Sequence, residues 1–234
     1  MLDFGFYNQD CMEGMKQFPD GYFDLAVVDP PYGINAPMFN MGSGASKDKK
    51  RYGTAYNLRK GRLNQGGEKL KNRILNRSDC NWDRAIPTEE YFKELFRVSR
   101  NQIIWGGNYF PLPPTRGIIV WDKKQPWENF SQVEMAWTSF DKPAAIFRMG
   151  NTRGGKIHPT QKPVELYAWI FGKWAKPGYK VLDTHVGSAS SLIAASKAGL
   201  EYVGFEIDPE YYRTAKERLD RETGAMPERG EHHD

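Results

Sequence analysis

Val181-Leu182-Asp183-Thr184-His185-Val186-Gly187-Ser188-Ala189-Ser190 decides the fold. An aliphatic pair runs into an acid, then a turn of small residues, then a helical pattern that extends from Ser188 to Ala198 and is closed by Gly199. A strand that passes through a tight turn straight into a helix is half of a βαβ unit. The same form recurs outward from it. Phe23 to Val28 ends in Asp29, Ile103 to Trp105 leads through Gly106-Gly107 to Asn108, Ile118 to Trp121 ends in Asp122, and Tyr202 to Phe205 ends in Glu206. Continuous apolar runs of this length suit strands buried on both faces, as in a parallel sheet.

Helical stretches lie between these runs. Thr88 to Ser99 follows Pro87, carries Glu89 and Glu90 in its first turn and repeats Tyr91, Leu95 and Val98 on one stripe. Pro163 to Trp174 repeats Val164, Tyr167, Phe171 and Trp174, and Pro209 to Leu219 has Asp208 as its N-cap. The alternation predicts an α/β doubly wound, mostly parallel sheet. Ligands of such sheets sit at the carboxyl ends of the strands, where Asp29, Asp183 and Glu206 fall.

The 234 residues correspond to one domain, read as residues 1–221 with an insertion at about 35–80 and a polar tail at 222–234. Counting Gly as apolar and leaving Tyr out gives about 44%, just under the globular range, so a folded core can form. Cys11 and Cys80 are too few for a disulfide framework and have no metal-spaced histidine nearby, so no metal is expected and a reducing compartment fits. His232 and His233, on the tail, read as incidental. No apolar run approaches the roughly 20 residues of a membrane span, and the first ten residues lack a signal pattern. A soluble, cytoplasmic protein is the expectation.

Net charge is +4, but it is unevenly spread. Between Met41 and Arg77 eleven Lys or Arg, among them Lys49, Lys50, Arg51, Arg59, Lys60 and Arg62, face two acids. The segment is +9 and the remainder −5. It opens Gly-Ser-Gly-Ala-Ser, has no core-forming periodicity and is interleaved with Tyr52, Tyr56 and Asn64. A solvated loop is the plain reading, and nucleic-acid contact is the functional one.

Two motifs carry chemistry. The turn at Gly187 and Ser188 admits a ligand close to the backbone, and Glu206, nineteen residues after Gly187, stands where an acid grips ribose hydroxyls. A nucleoside-bearing cofactor is one reading and an ordinary βαβ turn with a surface acid the other. Ala189 and Leu192 replace the later glycines of G-x-G-x-x-G, which argues against a nicotinamide. The second motif is Asp29-Pro30-Pro31-Tyr32. Its prolines remove backbone donors and leave acceptors, from Asp29 and the Pro30 carbonyl, beside the face of Tyr32. That set suits an exocyclic amino group on a flat ring, or else it is a strand-ending turn.

Asp29 to Tyr32, followed much later by the Asp183 turn, resembles the β-class amino-methyltransferases of DNA. His158-Pro159-Thr160-Gln161-Lys162-Pro163 looks like the segment that precedes their cofactor turn, and Asn8-Gln9-Asp10-Cys11 like the stretch that closes on the cofactor adenine. The resemblance implies a Rossmann-like methyltransferase fold in circularly permuted motif order and S-adenosylmethionine as cofactor. It implies that Asp10, Cys11, Lys162, Asp183, Gly187, Ser188 and Glu206 bind the cofactor and that Asp29, Pro30, Pro31 and Tyr32 are catalytic. Thr184 and His185 depart from the Pro and Phe usual after the acid, and Ala189 from a Gly. Residues 141–157 are too short for a target-recognition domain, which leaves that role to the basic insertion.

The implied reaction is methylation of adenine N6 in double-stranded DNA, the base flipped against Tyr32. Asp rather than Ser at position 29 favours adenine over cytosine N4, the principal alternative. A nicotinamide-dependent oxidoreductase and a catalytically silent DNA-binding module are the others. Cys11 and Cys80 take no covalent role, and His185 reads as a packing or hydrogen-bonding residue rather than a base. A second copy of the chain and a restriction endonuclease are further partners that the resemblance leaves open.

Overall fold

The computed structural model describes residues 1–34, 83–125, 131–150, 157–158 and 160–224. Eight strands form one sheet in the order β1-β8-β7-β2-β3-β5-β4-β6. They are β1 (Gly5–Asn8), β2 (Leu25–Val28), β3 (Gln102–Trp105), β4 (Ile118–Asp122), β5 (Val133–Thr138), β6 (Ala145–Arg148), β7 (Lys180–Asp183) and β8 (Glu201–Glu206). The helices are α1 (Cys11–Met15), α2 (Glu89–Val98), α3 (Val164–Trp174), α4 (Ser190–Lys197) and α5 (Pro209–Thr223). Every pairing is parallel except that β5 runs against both β3 and β4.

Strand alternation explains why β2 is apolar at every position. Leu25 and Val27 pack with Trp105, Trp121 and the inner side of α3, whereas Ala26 and Val28 pack on the other face with Phe23, Leu95, Val98 and Met15 of the α1–α2 side. Helices therefore cover both faces, and β2 is wholly buried. A third cluster, with Leu192, Ile193, Ala215 and Leu219, seats α5 on α4. Transferring such side chains from water at about 25 cal/mol per Å² is the main stabilising term.

The chain crosses the sheet from β1 to β2, continues to β3, and later returns to place β7 on the other side of β2. Strand order reverses there, so the crevice between the carboxyl ends of β2 and β7 is the topological switch point. Asp29 follows one of these strands and Asp183 ends the other.

Several elements differ from the sequence reading or were absent from it. β1, β5 and β6 have mixed exposure and short length, which leaves little periodicity to detect. α4 begins at Ser190, two residues later than expected, because Ala189 takes a left-handed conformation and ends the turn. α5 continues to Thr223, so the tail boundary at 222 falls inside a helix, where Glu222 pairs with Arg218 at 2.9 Å. The remainder of the tail, with His232 and His233, lies outside the described residues, as does the basic segment with Lys49, Lys50, Arg51, Arg59, Lys60 and Arg62. No helix among the described residues is long and apolar enough to cross a membrane.

Candidate active site

The chain leaves β2 at Asp29, and the two prolines carry it away from the sheet. Tyr32 turns back to donate its hydroxyl to Asp29 Oδ1 at 2.5 Å, and Lys162 Nζ lies 2.5 Å from Asp29 Oδ2. The Tyr32 ring stacks on Tyr109 at 4.9 Å and 13° and meets the edge of Phe110. Gly106 makes this possible: with φ at 70°, a Cβ there would lie 2.2 Å from the Tyr32 ring. Burial, then the charges of Asp29 and Glu134, hold the Tyr32 pKa well above its ordinary value, so the phenol remains a donor.

The second group surrounds the turn after β7. Asp183 Oδ1 accepts the His185 backbone N–H at 3.0 Å, and Oδ2 accepts from the Ser191 hydroxyl. Burial raises the Asp183 pKa to about 7, with the nearby charges of Asp29 and Glu206 acting in the same direction. Glu206 Oε2 accepts the Gly187 N–H at 2.9 Å and Oε1 the Asp208 N–H at 3.0 Å, while burial raises its pKa also. Asn8 donates to the Glu206 carbonyl at 2.8 Å, which fastens the segment containing Asp10 and Cys11 to the end of β8. Asp10 caps α1 through the amides of Met12 and Glu13 and acts electrostatically on Cys11 and His185. Burial pushes the Cys11 thiol up to about 12, which suits a packing residue rather than a nucleophile.

Asp10, Cys11, Asp183, Gly187 and Glu206 are therefore brought to one end of β1, β7 and β8. Three carboxylates around a turn of small residues fit a ligand that is both cationic and hydroxylated, which S-adenosylmethionine is. Ser188 faces elsewhere: its carbonyl accepts from the buried Arg218 at 2.8 Å and its hydroxyl lies 3.2 Å from that of Ser190. Lys162 also parts from the expected cofactor group and joins Asp29, with Glu134 as its second carboxylate at 3.1 Å. Glu134, Lys123, Tyr109, Phe110 and Asp83 were missed. The signal available for two of them was the Gly106-Gly107 pair after a strand, which leads directly to Tyr109 and Phe110.

Residues 120–217 match the family model N6_N4_Mtase, described as DNA methylase. The chain is 27% identical over 160 residues to Type II methyltransferase M2.DpnII of Streptococcus pneumoniae, covering 68% of this chain and 54% of that protein. It spans about half the length of the curated relatives it matches. Among solved structures, TTHA0409 of Thermus thermophilus, a putative DNA modification methylase complexed with S-adenosyl-L-methionine, superposes with a TM-score of 0.51 at 19% identity over 94% of this chain and 96% of that one. The cytosine-N4-specific PvuII DNA methyltransferase gives 0.55 at 14% identity over 96% and 92%. Both share the Rossmann-like α/β fold.

The two unusual turn residues are linked. Thr184 Oγ1 lies 2.7 Å from the Tyr91 hydroxyl and 2.9 Å from His185 Nδ1, a buried chain that neither Pro nor Phe could form. Tyr91 also packs edge-on against the imidazole. Burial lowers the His185 pKa to about 4, so the ring is neutral at physiological pH and serves as a hydrogen-bonding group.

Proposed function

We propose that this protein transfers the methyl group of S-adenosylmethionine to adenine N6 in double-stranded DNA. The observation that carries the reading is the placement of Asp29, an acceptor-rich carboxylate beside an aromatic cluster, across the switch point from the Asp183 turn. The cofactor supplies an electrophilic methyl group on a sulfonium. Asp29 and the Pro30 carbonyl accept the two N–H bonds of the amine, which favours a pyramidal nitrogen and frees its lone pair from the ring. That pair forms the new N–C bond as the C–S bond breaks and sulfur keeps its electrons. The surplus proton then leaves nitrogen, with the Asp29 carboxylate within reach to accept it. Positioning and electrostatics supply most of the acceleration.

The target nitrogen is buried in a duplex, so the base must be extruded to reach Asp29, and the Tyr32–Tyr109 stack offers it an aromatic wall. The reading extends to a cytoplasmic modification enzyme whose partner is a restriction endonuclease cutting the unmethylated site, and to association of two copies on DNA. Nucleosides from DNA treated with the protein and cofactor, weighed by mass spectrometry, provide the test. N6-methyladenine is expected, and Asp29→Ala should remove it while leaving cofactor affinity within about twofold. N4-methylcytosine alone would transfer the assignment to the other amino group, and an unmethylated product would defeat it.

A further inference from the structure

Lys162 is buried, with 3% of its side chain exposed, and its ammonium is fully engaged. Nζ reaches Asp29 at 2.5 Å, Glu134 at 3.1 Å and the Tyr32 hydroxyl at 3.4 Å, and it lies 5.2 Å from the centre of the Trp105 ring. Glu134 in turn is paired with Lys123. The four groups alternate in sign from Lys123 through Glu134 and Lys162 to Asp29, so the row is neutral overall.

The reversed strand explains how the row forms. β5 enters the sheet at the carboxyl ends of its parallel neighbours, with Asp122 opposite Val133 and Trp121 opposite Glu134. An antiparallel β5 therefore delivers Glu134 to the functional edge, where Lys123, just past β4, meets it. A parallel strand in that place would have sent its first residues to the opposite edge.

Resting on the methyltransfer reading above, we infer that Lys162 is a positioning residue: its ammonium holds Asp29 in place as the hydrogen-bond acceptor for the target amine, with Glu134 as its second anchor. Asp29 needs such help. Its surroundings include Tyr32 from its own loop, Tyr91 of α2, Tyr167 of α3, Asp183 of β7 and, beyond Lys162, Glu134 of β5. The phenols are neutral and the two acids are of like charge, so among the described residues Lys162 is the cation in direct contact. A protonated carboxyl donates a hydrogen bond where this chemistry needs an acceptor, and a cation in contact favours the form that accepts. Lys162 is not a base itself. Burial alone would lower its pKa, but Asp29 and Glu134 outweigh that and hold it above the ordinary lysine value. Lys123 supports Glu134 in the same way. Burial would raise the Glu134 pKa, yet Lys162 and Lys123 bring it down to about 2.

The test uses the full chain with Lys162→Met and Lys162→Gln, the second keeping an N–H donor, one bond shorter, without the charge. Methyl transfer is followed from pH 5.5 to 9, S-adenosylhomocysteine affinity is measured by calorimetry, and the Asp29 carboxyl is titrated by ¹³C NMR, assigned by difference from Asp29→Asn. In both variants the acid limb of kcat should move up by at least one pH unit, with kcat at pH 7 reduced tenfold or more and partly recovered at pH 9. The carboxyl titration should move with it, and S-adenosylhomocysteine affinity should stay within threefold. Lys162→Arg should restore the limb. Glu134→Gln should lower kcat with the limb in place, because the ammonium stays but loses an anchor. An Asp29 titration unmoved in Lys162→Gln overturns the inference, as does a tenfold loss of S-adenosylhomocysteine affinity with the limb unmoved, which would return Lys162 to the cofactor. Inactivity of the unmodified protein on every DNA would defeat the methyltransfer reading instead, and the NMR titration would still decide the role of Lys162.

Discussion

Asp83 Oδ1 accepts the backbone N–H of Tyr32 at 2.7 Å and that of Gly33 at 2.9 Å. The first described residue after the basic segment is thereby fastened to the Asp29–Tyr32 turn that precedes it. Only 2% of Asp83 is exposed, so these amides have a charged acceptor in place of water.

Asp83→Ala should cost about 2–4 kcal/mol in urea unfolding, from two hydrogen bonds to a charged group. kcat should fall as well, because the Tyr32 and Gly33 amides lose the acceptor that fixes them. Affinity for S-adenosylhomocysteine should hold, since the cofactor turn is a separate segment. A stability loss below about 0.5 kcal/mol would make the contact incidental.

Ala189 has φ 62° and ψ 18°, a conformation that costs a non-glycine residue roughly 1–2 kcal/mol. Ala189→Gly relieves this but removes a buried methyl, worth about 0.8 kcal/mol, and adds roughly 0.5–1 kcal/mol of chain entropy to be lost on folding. The terms nearly cancel, so the change in stability should be within about 1 kcal/mol of zero. Ala189→Val should be clearly destabilising, because branching at Cβ aggravates the left-handed strain. A loss above about 1.5 kcal/mol in the glycine variant would show that Ala189 is unstrained.

The acids at the strand ends were legible in the sequence because β2, β7 and β8 supply apolar runs that stop abruptly at Asp29, Asp183 and Glu206. Burial on one or both faces wrote that pattern. β5 was not legible: Val133 and Met135 are exposed, Glu134 interrupts them, and only Ala136 and Thr138 are buried. Glu134 therefore reads as a surface acid until the reversed strand places it beside Lys162. Lys162 itself was found by motif but assigned to the cofactor, because its contact with Asp29 joins residues 133 positions apart. Local pattern carries no record of such a pairing. Asp83 has the same difficulty, 51 positions from Tyr32.

Asp183 makes stability depend on pH and, on the proposed reading, cofactor binding too. Its pKa is raised by burial to about 7, whereas an unfolded aspartate titrates near 3.9. Between these values the folded protein holds a proton that the unfolded chain has released. The stabilisation from that proton is complete below about pH 4 and is lost as pH rises through about 7. Asp183→Asn should therefore flatten the decline in melting temperature between pH 5 and 8. A cationic cofactor favours the ionised carboxylate, so its binding at pH 6 should release a proton and its affinity should improve toward pH 8. Calorimetry at pH 6 in buffers of different ionisation enthalpy measures that release directly. Equal heats in all buffers would exclude the linkage.

The basic segment from Met41 to Arg77 is where DNA contact is expected. Its +9 charge lies between Gly33 and Asp83 in sequence, and the Asp83 contact ties those flanks together beside Tyr32. On the proposed reading, a duplex whose extruded base enters at Asp29 passes these flanks. Lysines and arginines that neutralise phosphates release counterions, so affinity should fall steeply with salt. Side chains touching only phosphate weaken all sequences alike, whereas an arginine reading guanine changes the preferred site. Replacing Lys49, Lys50 and Arg51 together by Ala should reduce the slope of log affinity against log salt by up to about 0.9 for each phosphate no longer neutralised. S-adenosylhomocysteine affinity should not change. An unaltered slope and affinity would reduce the three residues to a solvated loop, and the DNA surface would then have to include Arg148, at the end of β6 beside Asp122.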